Sequence, residues 1–283
     1  MLRIIKNVFV RITVLLIVIA GLLLGFAFQD GLMEAGDRVV AYYYVYLGDK
    51  KYQKRKLQDA IDYYNKALAL YPGHYKARYN LGNIYVTYED YESAELCYKE
   101  ALKYKPDYLN ARINLAIIQT EQLLNFDEAI KNYQIAINTN PLIIKIPFIY
   151  NNEPSLINKK AVAYYNMGLA YRGQSLLYAE NPGATRRFLE KAAHCYRNAL
   201  KFEPDNYETH YNLALTLHLL KNLTEAHTEY CKAIELEPLN YEAHYNLAIL
   251  LKEMKNYAAS ASELEKAGLI LDSRGDGYKT AYI

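Results

Sequence analysis

Tryptophan is missing from these 283 residues, and cysteine occurs only three times. Cys97, Cys195 and Cys231 are widely separated, with no Cys-x-x-Cys pair, so the spacing of a thiolate metal site or a redox dithiol is excluded. Each stands beside a tyrosine (Tyr98, Tyr196, Tyr230), which fits a small apolar filler better than a disulfide or a reactive thiol. Neither sign of charge dominates, at 33 basic against 31 acidic residues. A basic stripe that would track nucleic-acid phosphates is therefore not expected. The Val, Gly and Pro punctuation of an all-β chain is lacking. So are a nucleophile elbow, a phosphate-cradling glycine loop, an HExxH helix and a dinucleotide fingerprint. No catalytic residue, cofactor or metal is expected.

Tyrosine, by contrast, is abundant, with 31 copies. Its placement follows a repeat best seen from Tyr75 to Pro106. Tyr79-Asn80-Leu81-Gly82-Asn83-Ile84-Tyr85 is followed by Ala94, Tyr98, Ala101 and Pro106. These residues recur at a step of about 34, a period that points to a repeat architecture. Leu81, Gly82 and Tyr85 share one helical face, because three- and four-residue steps align at 3.6 residues per turn. Gly82 weakens a helix, so it needs a packing reason, and close approach of a second helix supplies one. Tyr98 fills the space between units, and Pro106 ends the second helix.

The pattern resembles the tetratricopeptide repeat, with Arg78 in place of the usual Trp and Tyr98 for the usual Phe. The first unit spans about residues 41–73, with Leu47, Gly48, Ala60, Tyr64, Ala67 and Pro72 in register; Lys51 stands where Tyr is expected. The third has Asn114-Leu115-Ala116, Ala129, Tyr133, Ala136 and Pro141, and Gln119 replaces Tyr. The fourth has Tyr165-Asn166-Met167-Gly168, Tyr171, Ala192, Tyr196, Ala199 and Pro204. The fifth and sixth carry Tyr211-Asn212-Leu213-Ala214 and Tyr245-Asn246-Leu247-Ala248. The resemblance implies an all-α, right-handed superhelical solenoid of about six helix-turn-helix repeats over residues 41–272. Insertions are expected at 142–160 and at about 177–188, the second as a longer internal turn. A linker over 29–40 and a tail over 273–283 flank the array.

Ile12 to Phe28 carries no charge and follows Arg3, Lys6 and Arg11. At about 1.5 Å per residue it spans roughly 25 Å, close to the ~30 Å hydrocarbon core. Arg11 can snorkel and let residues 8–28 act as one transmembrane anchor. The positive flank would stay inside, leaving the repeats on the non-cytoplasmic side, as for a bacterial inner-membrane protein facing the periplasm. The alternative is a cleaved signal peptide with its site near Gly25-Phe26-Ala27, giving a secreted or periplasmic binding protein. Lys50, Lys51, Lys54, Arg55 and Lys56 crowd one turn, more simply a solvated turn than a contact with anionic head groups.

Function is expected to be non-catalytic: an interaction scaffold or assembly factor, or an accessory subunit of an enzyme or transport complex. The resemblance implies a concave groove lined by first helices that binds protein or peptide partners. Its expected lining is Tyr79, Asn80, Asn83, Asn114, Tyr165, Asn166, Tyr211, Asn212, Tyr245 and Asn246. An Asn offers both a donor and an acceptor, which suits extended peptide backbone, and similar superhelical proteins hold main chain with an Asn ladder. These side chains are expected to contribute little to packing between helices. Chaperone-tail-binding relatives grip a carboxylate with cations on successive first helices. Tyr79, Tyr165, Tyr211 and Tyr245 occupy those places here, and Arg172 and Lys252 look isolated, so that assignment is rejected. His210 and His244 hold equivalent places in neighbouring units, too far apart for one metal. The Asn222-Leu223-Thr224 sequon matters only in a eukaryotic secretory context. The C-terminal end lacks a capping helix of normal length, so Tyr278, Tyr282 and Ile283, or self-association, are expected to cover it.

Overall fold

The computed structural model describes residues 31, 33–139 and 156–273. They form helices and turns, with no strand among the described residues. The helices are α1 (33–53), α2 (Leu57–Leu70), α3 (Tyr75–Thr87), α4 (Tyr91–Tyr104), α5 (Leu109–Glu121) and α6 (Phe126–Asn138). Then come α7 (Leu156–Leu177), α8 (Pro182–Leu200), α9 (Tyr207–Leu219), α10 (Leu223–Leu236), α11 (Tyr241–Glu253) and α12 (Tyr257–Ser273). Consecutive helices make six pairs. They fall into two compact units, one ending at Pro106 and one beginning at Asp107.

Within a pair the turn is short and has a fixed grammar. Arg55, Glu89, Leu124, Lys221 and Lys255 take φ of 50–63°, the left-handed conformation that reverses the chain after a helix. A polar residue then caps the next helix. Asp90 accepts from the Ser93 amide at 3.1 Å, and Asn125 accepts from the Glu128 amide. Between pairs, Asn206 and Asn240 cap α9 and α11 in the same way.

The core of each pair is one tyrosine from the second helix laid on a small residue of the first. Tyr64, Tyr98, Tyr133, Tyr196 and Tyr230 are at most 1% exposed. A Cβ built on Gly48, Gly82 or Gly168 would lie 2.5–2.6 Å from the ring of Tyr64, Tyr98 or Tyr196. Such rings bury about 150–250 Å2 each, the largest apolar contribution available to so small a unit. In the sixth pair the same place is held by Leu264, which is 42% exposed.

The fourth residue of the first helix, where the family carries Trp, has a different job here. Arg78 donates through Nε and Nη2 to the Pro72 carbonyl at 3.2 and 3.1 Å. His210 and His244 reach the Pro204 and Pro238 carbonyls at 2.8 and 3.1 Å. Their Nδ1 atoms lie 2.6 Å from Glu229 and Glu263. Each ring therefore faces an oxygen acceptor at both nitrogens. Burial opposes the charge on His210, yet the Glu229 carboxylate and the Pro204 carbonyl carry its pKa above the usual value.

Three expectations change. Residues 33–40, expected as linker, continue α1 as exposed helix. No proline interrupts them, and Glu34 pairs with Arg38 one turn on. The insertion near 177–188 does not lengthen a turn; it lengthens α7 and α8, leaving only residues 178–181 between them. The reason is Asn181, whose side chain accepts from the Ala184 amide at 3.1 Å while Pro182 opens the helix. Residues 156–160 of the earlier insertion also belong to α7. The anchor expected at 1–28, most of the insertion at 142–155 and the tail from 274 lie outside the described residues. Among the described residues no helix is long and apolar enough to cross a membrane.

Two outcomes follow from this packing. Gly82→Val should cost about 1–3 kcal/mol by forcing the Tyr98 ring to move. Gly268→Ala, whose Cβ would meet nothing within 4 Å, should instead gain up to ~1 kcal/mol of helix propensity. Urea melts of the two variants check this contrast. For His210, a raised folded pKa means that its contribution is complete below the unfolded value of about 6.5 and is lost as pH rises through the folded value. The melting-temperature difference between wild type and His210→Leu should be largest below pH ~6.5 and shrink as pH rises above it.

Candidate functional site

In the second unit the first helices touch one another, α5 against α7 and α9 against α11. They therefore form a continuous inner layer, and their free faces make the surface on which a segment could lie. Each unit places the expected Asn and Tyr residues on its own first helices.

In the first unit, Asn80 on α3 donates to Asp49 Oδ1 on α1 at 2.8 Å, and the Tyr64 hydroxyl donates to the same oxygen at 2.7 Å. Asn83 accepts from the Tyr98 hydroxyl at 2.7 Å. The Tyr79 ring stands 5.8 Å from that of Tyr98. Asp49, Tyr52, Gln53, Tyr64, Asn80 and Asn83 line a cavity of about 240 Å3. Burial, reinforced by the Asp49 carboxylate, pushes the Tyr64 phenol far above its usual pKa, so it stays a donor.

In the second unit the ladder is partly spent on joining the repeats. Asn212 on α9 donates to the Tyr165 hydroxyl on α7 at 3.1 Å and to the Glu208 carbonyl at 2.9 Å. Asn246 on α11 repeats this with the Tyr211 hydroxyl at 2.8 Å and the Glu242 carbonyl at 3.0 Å. Asn166 turns its amide to the Val162 carbonyl at 2.9 Å. Asn166 and Asn212 are only 8% exposed. Asn114 and Tyr245 are half-buried on α5 and α11. The expectation that these side chains matter little to packing is thus corrected for Asn212 and Asn246. A buried amide must find partners, and the nearest phenol on the neighbouring first helix supplies one.

Two residues escaped the sequence reading. Arg172 is not isolated, since its Nη1 donates to Asn212 Oδ1 at 2.6 Å. Asp49 organises the first-unit cluster, although nothing in its local sequence marks it. The signal lay in the residue that follows the small Gly or Ala of each first helix. Asp49 and Asn83 receive the hydroxyls of Tyr64 and Tyr98. Leu169 and Leu215 hold that place in the fourth and fifth pairs, where the hydroxyls of Tyr196 and Tyr230 are buried with no partner among the described residues.

The cysteine thiols are free. Burial pushes Cys97 up to about 11 and Cys195 up to about 12, which leaves both as unreactive thiols near neutral pH. Among the described residues no group of His, Cys, Asp and Glu is placed to hold a metal.

Asn212→Ala strands the Tyr165 hydroxyl and one face of the Arg172 guanidinium, so it should lower stability by about 1–3 kcal/mol. Asn246→Ala, which is more exposed and loses one neutral partner, should cost about 0.5–1.5 kcal/mol. Denaturant midpoints at unchanged slope measure both.

Comparison with known proteins agrees with this architecture. Models described as tetratricopeptide repeat match residues 41–74, 75–108, 207–238 and 230–260, and one described as TPR repeat matches 189–221. No curated protein matches the chain in sequence. Among solved structures, PilF of Pseudomonas aeruginosa is similar at a TM-score of 0.62 and 18% identity, over 87% of this chain and 95% of that one. PilW, described as a widely conserved type IV pilus biogenesis factor, is similar at 0.57 and 16% identity, over 86% of this chain and 95% of that one. MamA from Desulfovibrio magneticus RS-1 is similar at 0.52 and 17% identity, over 70% of this chain and 95% of that one. At these identities the solved structures speak for the fold, while the repeat models speak for the residues themselves. The chain belongs to the tetratricopeptide-repeat family.

Proposed function

We propose that this chain is a non-catalytic scaffold, tethered to a membrane by its N-terminal segment, that holds an extended stretch of a partner protein against its first helices. The supporting observation is the inner layer of the second unit. There Tyr165, Tyr211 and Tyr245 recur at the same place on α7, α9 and α11, each followed by Asn. The ring faces offer flat apolar contact at low entropic cost. The hydroxyls of Tyr165 and Tyr211 already accept from Asn212 and Asn246, so their own protons remain for an acceptor such as a peptide carbonyl. In this reading the Asn residues orient the tyrosines from below and contact the partner only through what their amides leave over.

The tether rests on Ile12 to Phe28 and the positive flank of Arg3, Lys6 and Arg11. An assembly role is in keeping with the fold shared with PilW, a pilus biogenesis factor. The repeats would then work outside the cytosol.

Photocrosslinking tests the binding face. With p-benzoylphenylalanine at Tyr245 or Leu215, ultraviolet light should yield discrete protein adducts, and at Glu235 on the outer helix α10 it should not. Equal adducts at all three places, or none at Tyr245 and Leu215, would remove the proposal. The tether has a separate readout, because Cys231 is exposed. In spheroplasts of a bacterial host, a membrane-impermeant maleimide should label it before lysis. Labelling only after lysis would reverse the topology.

A further inference from the structure

In the second unit, hydrogen-bond donors without a partner among the described residues lie near one cation. The Arg172 guanidinium donates once, through Nη1 to Asn212 Oδ1 at 2.6 Å. Among the described residues no carboxylate lies within ion-pair distance of it. The positive charge of Arg172 is felt by four phenols, those of Tyr165, Tyr196, Tyr211 and Tyr230. Tyr165 and Tyr211 use their oxygens as acceptors and keep their protons. Tyr196 and Tyr230 are fully buried, and their hydroxyls find no partner among the described residues. Their rings pack at 5.9 and 6.1 Å from those of Tyr165 and Tyr211.

In the first unit the equivalent hydroxyls end on the same side of the first helix, and there Asp49 and Asn83 receive them. In the fourth and fifth pairs that acceptor is replaced by Leu169 and Leu215, and the fourth pair adds the guanidinium of Arg172. The unspent N–H groups of the Arg172 guanidinium and the O–H groups of Tyr165 and Tyr211 are complementary to an anion. Glu121, Glu208 and Glu242 stand close enough to raise the same phenols, which disfavours a phosphate or an acidic run and leaves room for a single negative charge. The Tyr–Asn row continues on α9 and α11 beyond Arg172, and α5 precedes it. A segment lying there would pass through the site rather than end in it.

We propose that Arg172, together with the hydroxyls of Tyr165 and Tyr211, recognises a single carboxylate of the bound segment, supplied by an internal Asp or Glu side chain. This rests on the reading of the inner layer as a partner-binding face. Arg172 sets which segment is chosen, while the tyrosines bind any extended chain.

Three fluorescein-labelled random peptide pools, each about ten residues long, separate these statements when titrated by anisotropy against the full chain in detergent micelles. The first has a central Glu and both ends blocked, the second has Gln in its place, and the third has Gln and a free C-terminal carboxylate. The Glu pool should bind about tenfold more tightly than the Gln pool, as expected for a charge-assisted bond. The gap should narrow as NaCl rises, a readout on the wild-type chain that needs no variant. Arg172→Gln should erase the gap between the Glu and Gln pools. Equal binding of the Glu and Gln pools would overturn the carboxylate site and leave the binding face standing. Tighter binding of the free-end pool than of the Glu pool would overturn the side-chain source. No binding by any pool would remove the face and the site together.

Discussion

Everything regular in this protein depends on one contact, the ring of a second-helix tyrosine pressed on a residue without room for a side chain. Tyr64 on Gly48, Tyr98 on Gly82 and Tyr196 on Gly168 bring the two helices of a pair so close that a single added carbon would collide. That closeness sets the pair as the structural unit. The unit cannot bury its own outer surface, so it has to stack. In the sixth pair the place held elsewhere by a buried tyrosine is taken by Leu264, which remains partly in water.

A tyrosine at that place carries a hydroxyl into the interior, and the way each pair meets that demand divides the chain. The first unit answers with Asp49 and Asn83 on the first helix, and the third pair with Thr120, 3.3 Å from Tyr133. The fourth and fifth pairs place leucine there and leave the hydroxyl unanswered. An unsatisfied buried group costs about 1–3 kcal/mol, so it is retained only where something offsets it. The same region holds Arg172, with no carboxylate within ion-pair distance among the described residues. The irregular hydrogen bonding and the uncompensated charge therefore coincide on one face, within an otherwise repetitive scaffold.

The same polar residues serve stability and recognition. Asn212 and Asn246 bind neighbouring first helices through the phenols they orient. His210 and His244 tie each first helix back to the carbonyl of the preceding proline while pairing with a second-helix glutamate. Donor groups at the fourth residue thus replace the bulk that tryptophan supplies in the family pattern, exchanging an apolar contact for a pair of directional ones.

The repeat period, the helix pairs and the buried tyrosines were legible in the sequence, because each rests on contacts spaced by three, four or about thirty-four residues along the chain. The turn caps were local too, since Asp90 and Asn125 bond amides three residues on. The extended helices α7 and α8 were misread as a long turn because Asn181-Pro182-Gly183 looks like a break, when the first two of those residues start a helix. What only the tertiary structure decided is the polar wiring of the inner face. Tyr165 meets Asn212 across 47 residues, Arg172 meets Asn212 across 40, and Asn80 meets Asp49 across 31. A side-chain hydrogen bond depends on direction and on a distance window of a few tenths of an ångström. Periodicity places a residue on a face, but the angle between stacked pairs chooses its partner.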